Sequence, residues 1–153
     1  MCVCDRVFKD FEWCELATLR VRDNRLDGKG VYALRVRERG DAVGNIISDV
    51  KKHLDKLGWL EFEDFVMNRV NRLENIQEYP IIYVGAAPNT LKGRYRDLCG
   101  RRHTALFAVL ALLHGGWKLE FGWLKCDNPL QKEKILKEQY RNVHGKLPAL
   151  MKR

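Results

Sequence analysis

The sequence predicts a mixed α/β (α+β) domain: a small three-stranded, mainly antiparallel sheet flanked by helices and interrupted by an inserted helical hairpin. Two observations carry that prediction. Three short runs rich in strand formers lie at Gly30–Arg37, Ile81–Gly85 and Trp117–Lys125, and the segments between them repeat apolar residues at helical spacing. The chain has 153 residues, the size of one ordinary domain that can bury a core without disulfides. Residues 1–153 are therefore read as a single domain, with the helical insertion at about 42–78.

The first strand, Gly-Val-Tyr-Ala-Leu-Arg-Val-Arg, passes from an apolar start to polar alternation. Arg39-Gly40-Asp41 turns the chain. Ile46, Ile47, Val50, Leu54 and Leu57 then mark an amphipathic helix with Lys51, Lys52, Asp55 and Lys56 mostly opposite. Gly58 breaks it, and Phe62, Phe65, Val66, Val70, Leu73 and Ile76 repeat the pattern. Pro80 stops the second helix before the apolar run Ile81-Ile82-Tyr83-Val84-Gly85. Thr90 is the expected N-cap of a helix through Leu98, because its hydroxyl can accept from a first-turn amide. His103 to His114, apolar nearly all round, reads as a buried helix closed by Gly115-Gly116. Asn128, Pro129 and Gln131 mark the start of the last helix as N-cap, first position and capping-box partner. An extended tail, Lys146 to Leu150, follows.

Composition bounds the partners. Apolar residues make up 46% and charged residues 31%, the profile of a folded chain, and 28 Lys and Arg against 20 Asp and Glu leave a formal charge of +8. That excess favours polyanions, since neutralising phosphates releases counterions. The longest apolar run, Thr104–Leu113, is too short to span a bilayer. The first six residues lack the features of a secretion signal, and the expected location is cytoplasmic. Five cysteines do not form a disulfide framework, and Cys2, Cys4 and Cys14 lack zinc-knuckle spacing.

The chemistry-bearing residues form an ordered set. Gly30-Val31-Tyr32 and Tyr83-Val84-Gly85 sit on two strands; Leu91-Lys92-Gly93-Arg94 opens a helix after the second; His103 begins a helix ending in His114-Gly115; and Glu133 lies seven residues before Tyr140 on the last helix. In this order they resemble the GIY-YIG nuclease family, over roughly Gly30 to Leu150. The resemblance implies a metal-dependent endonuclease cutting duplex or branched DNA, with Mg²⁺ or Mn²⁺ on Glu133 and with Tyr32, Tyr83, Arg94, His103 and Glu133 in the active site. The sequence departs from the family twice. A helix pair replaces the usual short connection between the triplets, and Met151 follows Leu147-Pro148-Ala149-Leu150 where many members carry an asparagine.

Each role has a physical reason. Hydrolysis needs an aimed and deprotonated water, compensation for transition-state charge and a stabilised leaving oxygen. Two tyrosines facing one side of the sheet can bring phenolic oxygens to one water, but a phenol with pKa about 10 needs a nearby cation to act at neutral pH. Arg94 can supply that field or clamp the phosphate; Arg96 is its rival. Glu133 offers hard oxygens and, unlike Glu138, sits on the inward stripe with Leu136 and Tyr140. His103 either positions a phosphate or caps its helix, and His114 is read as structural. Lys92, Arg96, Arg101 and Arg102 are the expected nucleic-acid contacts, with a solvated basic face as the alternative; Lys51, Lys52, Lys56, Arg69 and Arg72 of the helix pair either extend that surface or lie in water while the pair's apolar faces pack on the sheet. Cutting both strands requires a homodimer or rebinding. The runner-up is a non-catalytic nucleic-acid-binding module of the same fold, and a protein-interaction domain using the helix pair is the third reading.

Overall fold

A computed structural model describes residues 4–100 and 102–151 of the chain. Four strands form one antiparallel sheet: β1 (Glu12–Glu15), β2 (Gly30–Glu38), β3 (Ile81–Ala87) and β4 (Lys118–Lys125), in the order β1-β4-β2-β3. The sheet thus has one strand more than the three expected. β1 is four residues long and reads Glu-Trp-Cys-Glu, too short for alternation to stand out against its charged neighbours. Around the sheet lie a short helix α1 (Cys4–Val7) and five longer ones: α2 (Val43–Leu57), α3 (Leu60–Val70), α4 (Leu91–Cys99), α5 (Leu106–His114) and α6 (Pro129–His144). No described helix is long and apolar enough to cross a membrane.

The caps fall where the sequence places them. Thr90 accepts from the Gly93 amide at 2.9 Å, and Asn128 accepts from the Gln131 amide at 3.3 Å. Two helices are shorter than expected. The second insertion helix gives way to a 3₁₀ turn at Asn71–Asn75. The helix expected from His103 starts at Leu106, leaving His103 in the turn before it, and its Leu110 and Leu113 are exposed, so it is not buried all round.

Alternation along the strands divides the molecule into three layers. One face of the sheet carries Tyr32, Leu34, Tyr83, Phe121 and Trp123, and it is covered by α2, α3, α4 and α5. The other carries Val31, Ala33, Ile81 and Val84, and it is covered by Leu136 and Tyr140 of α6 together with Phe8 and Phe11. The insertion therefore packs on the face that holds the two tyrosines.

Close packing explains the glycines of both strand triplets. A Cβ on Gly30 would overlap the Leu124 carbonyl of β4, and one on Gly85 would overlap the Tyr32 ring, which lies across it from the paired position on β2. Each glycine admits a neighbour that no other residue would tolerate.

Beyond the last helix the tail turns back along β3, the sheet edge beside β2. The Leu150 amide donates to the Ile82 carbonyl at 2.9 Å, and the Val84 amide donates to Met151 Sδ at 3.4 Å. Leu150 is fully buried and Met151 nearly so. Where the family pattern would have an asparagine, a thioether accepts from the second tyrosine triplet.

The glycine contacts predict opposite outcomes for one kind of substitution. Gly85→Ala is expected to destabilise the chain by about 1–3 kcal/mol, as over-packing does. Gly44→Ala, in an open position of α2, is expected to stabilise it by about 0.5 kcal/mol. Urea denaturation midpoints of the two variants check both signs.

Candidate functional site

β2 and β3 deliver the two tyrosines. Leu34 pairs with Tyr83 and Tyr32 with Gly85, so both tyrosines point to one face two residues apart along the ladder, with ring centroids 5.9 Å apart. On its other side Tyr32 stacks against Phe121 of β4 at 5.5 Å. Tyr32 is held in a slot between β3 and β4 side chains and is fully buried.

Arg94 arrives from α4. The first amide of that helix, Leu91 N, donates to the Gly28 carbonyl at 2.8 Å, which ties α4 to the chain just ahead of β2. One turn later Arg94 Nη2 donates to the Tyr32 hydroxyl oxygen at 3.2 Å, while Nη1 donates to Asp97 Oδ2 at 3.0 Å. Arg96, its rival in the sequence, is exposed and makes no such contact. Geometry selects Arg94.

His103 completes the cluster. Its Nε2 lies 2.7 Å from the Tyr32 oxygen, and its ring meets Tyr83 edge-on at 4.8 Å. The Ala105 amide donates to Nδ1 at 3.0 Å, so Nδ1 is the acceptor and the ring proton of a neutral imidazole sits on Nε2. His103 therefore both holds the turn ahead of α5 and donates to Tyr32. The phenolic oxygen accepts from His103 and from Arg94, and both its lone pairs are used. Its own hydrogen is the one that can be offered elsewhere.

Burial sets the protonation states. It pushes the Tyr32 phenol well above its ordinary value, Tyr83 adds to the rise, and Arg94 opposes it without prevailing. Of the two roles read for Arg94, a field for the phenol or a clamp on the phosphate, the first is opposed by burial, because a fully buried ring loses more from desolvation than the guanidinium returns. Burial first and the Arg94 charge second lower His103 to about 4, with Asp97 opposing them. At neutral pH the cluster is a phenol and a neutral imidazole beside a guanidinium.

Glu133 stands apart from this cluster. It lies on α6, against the opposite face of the sheet, partly buried and ion-paired with Lys137 one turn on. Among the described residues nothing joins it to Tyr32, Tyr83, Arg94 or His103. The strand register nevertheless puts Gly30 level with both Ala87 and Lys125, so α4 and α6 begin at one end of the sheet, on its two sides. Glu138 is exposed, as the sequence comparison of the two glutamates implied.

The basic residues divide as well. Lys92 pairs with Asp27 at 2.8 Å, Arg96 and Arg102 are exposed, and Arg101 lies outside the described residues. Of the helix-pair cations, Lys51 and Arg69 are engaged with their own surroundings, and Lys52 and Lys56 are exposed. Lys51 pairs with Glu63 at 3.2 Å and with Asp55 at 3.6 Å, and Arg69 lies over the Phe65 ring. His114 is exposed at the end of α5. Cys2 and the side chain of Cys4 also lie outside the described residues, and no group of three His, Cys, Asp or Glu side chains that could hold a metal occurs among those described.

No family model, curated protein or solved structure matches the chain.

Two residues that matter to the cluster were not singled out from the sequence. Asp97 orients Arg94, and its position three residues further along a helix was a usable signal. Phe121 stacks on Tyr32 only because β4 pairs with β2, and no local pattern announces that.

The lowered His103 gives the chain a pH dependence. Its folded value, about 4, lies below the ordinary 6.5, so the unfolded chain binds more protons between the two. Stability is fully present above about pH 6.5 and declines as pH falls towards 4, by on the order of 3 kcal/mol. Chemical denaturation at pH 7 and pH 4.5 is expected to show this decline in the wild type and a smaller one in His103→Gln.

Proposed function

We propose that the chain is a metal-dependent endonuclease with a GIY-YIG-like fold, hydrolysing phosphodiester bonds in duplex or branched DNA. The observation that supports it most is the shared contact at Tyr32, where a guanidinium and an imidazole from two different connections donate to one phenolic oxygen with a second tyrosine packed alongside. Such convergence of titratable groups is common at catalytic sites.

In this reading Arg94, the member with most exposure to solvent, grips a non-bridging phosphate oxygen with its remaining donor capacity, while Asp97 keeps its fork aligned. Tyr32 offers its hydroxyl hydrogen to a phosphate oxygen that gains charge in the transition state. As the proton shifts, the two N–H donors stabilise the charge that grows on the phenolic oxygen, the kind of preorganised compensation that lowers a barrier without reorganisation. Tyr83 narrows the approach to the same oxygen.

The fit to Mg²⁺ or Mn²⁺ is partial. Glu133 has the hard oxygens such ions prefer, but Lys137 occupies one of them, and among the described residues no group of three ligating side chains forms a ready-made cage. An ion held there would take the rest of its shell from substrate oxygens and water, and it would supply positive charge at the leaving oxygen. Two copies acting as a homodimer would cut both strands.

A second reading, a nucleic-acid-binding module without catalysis, draws on the full burial of Tyr32 and the Lys137 pairing of Glu133. Nicking of supercoiled plasmid in Mg²⁺ or Mn²⁺ separates the two. Tyr32→Phe and Arg94→Ala are expected to slow nicking about 10²- to 10⁴-fold, and Glu133→Ala to abolish the nicking that Mg²⁺ or Mn²⁺ supports. Equal rates in wild type and Glu133→Ala would remove the metal assignment, and a wild type that binds but never nicks favours the second reading.

A further inference from the structure

The segment ahead of β2 lies outside the stretch that resembles a nuclease, yet its backbone is fastened to α4. Tyr95 Oη donates to the Leu19 carbonyl at 2.9 Å, the Leu19 side chain is buried, and Leu26 anchors the far end of the same loop in the core. With Leu19 fixed, Arg20 and Arg22 emerge beside Lys92 and Arg96, and the four cations and Val21 line one open depression of about 420 Å³. Lys92 and Arg96 share a helix face because they are four residues apart.

Charge balance within this depression is one-sided. Lys92 is neutralised by Asp27, but among the described residues Arg20, Arg22 and Arg96 have no ion-pair partner. Three like charges held around one concavity repel one another, a cost that a bound anion reverses. No carboxylate lines it. Its width and openness suit an extended chain of phosphates better than one small anion, which would want convergent hydrogen-bond donors around it.

Position relates the depression to Arg94. That residue lies roughly 200° round α4 from both Lys92 and Arg96, so the depression and the Tyr32 contact flank the same helix on opposite sides. A helix is about 10 Å across, which is about three nucleotide steps of 3.4 Å along one DNA strand.

We infer that the Arg20–Arg22 loop and the Lys92–Arg96 face of α4 form a phosphate-backbone clamp that holds a DNA strand about three nucleotides from the phosphate bound by Arg94. This rests on the nuclease reading for its register, but the clamp itself is tested by binding alone. The loop contributes by rigid placement, so its two arginines add phosphate contacts without ordering a flexible segment first.

The test is fluorescence anisotropy of a labelled duplex across a sodium chloride series. Arg20→Ala/Arg22→Ala is expected to make the slope of log K against log salt shallower by about two, while Arg20→Lys/Arg22→Lys keeps the wild-type slope. Tyr32→Phe is expected to bind with the wild-type slope while nicking slowly. An unchanged slope in the alanine variant, with its melting temperature also unchanged, overturns the clamp and leaves the nuclease reading standing. A reduced slope in a chain whose wild type never nicks leaves the clamp standing and removes the nuclease. Displacement of the duplex by millimolar inorganic phosphate at constant ionic strength would overturn the extended-strand assignment in favour of a small-anion site.

Discussion

Everything at the centre of this chain depends on where the Tyr32 ring is allowed to lie. It fills the space that the missing side chain of Gly85 leaves on β3, with Phe121 on its other flank. Its oxygen is then presented at one height above the sheet, where Arg94 of α4 and His103 of the turn after it, both distant from Tyr32 in sequence, reach it. A buried hydroxyl without partners costs about 1–3 kcal/mol, so the two connections and the strand pair constrain one another. The turn ahead of α5 and the first turn of α4 are thereby tied to each other through that one oxygen.

The three main strands and the capped helices were legible in the sequence because local chemistry declares them. Thr90, Asn128 and Pro129 mark helix starts by what their side chains can and cannot bond. Tyr32, Tyr83 and Arg94 were legible as a set through motif order. The start of α5 at Leu106 was not, because an apolar run gives no hint that the residues from His103 are held in a turn by an imidazole accepting from the Ala105 amide. β1 was lost for want of length, and Met151 because a thioether in a hydrogen-bonding role leaves no pattern. Partner identity across the sheet, such as Phe121 on Tyr32, is a property of register and not of any single strand.

The helical insertion separates the two tyrosine triplets by more than forty residues of sequence without separating them in space. Lengthening a connection is cheap, about 0.6 kcal/mol per doubling, and here the added residues return more than that by covering the sheet. α2, α3 and α5 enclose an apolar groove of about 420 Å³ bordered by Ile46, Val50, Leu54, Phe62 and Phe107. This apolar wall and the basic depression beside α4 give the molecule two chemically distinct surfaces.

The return of the tail along β3 has a consequence for solubility. Without it, Ile82 and Val84 would present unpaired backbone groups along an apolar edge strand, the geometry that recruits foreign strands into ladders. Leu150 and Met151 occupy those groups and bury apolar surface in doing so. The strand that carries Tyr83 is thereby shielded from self-association, and the final residues of the described chain act as its gatekeepers.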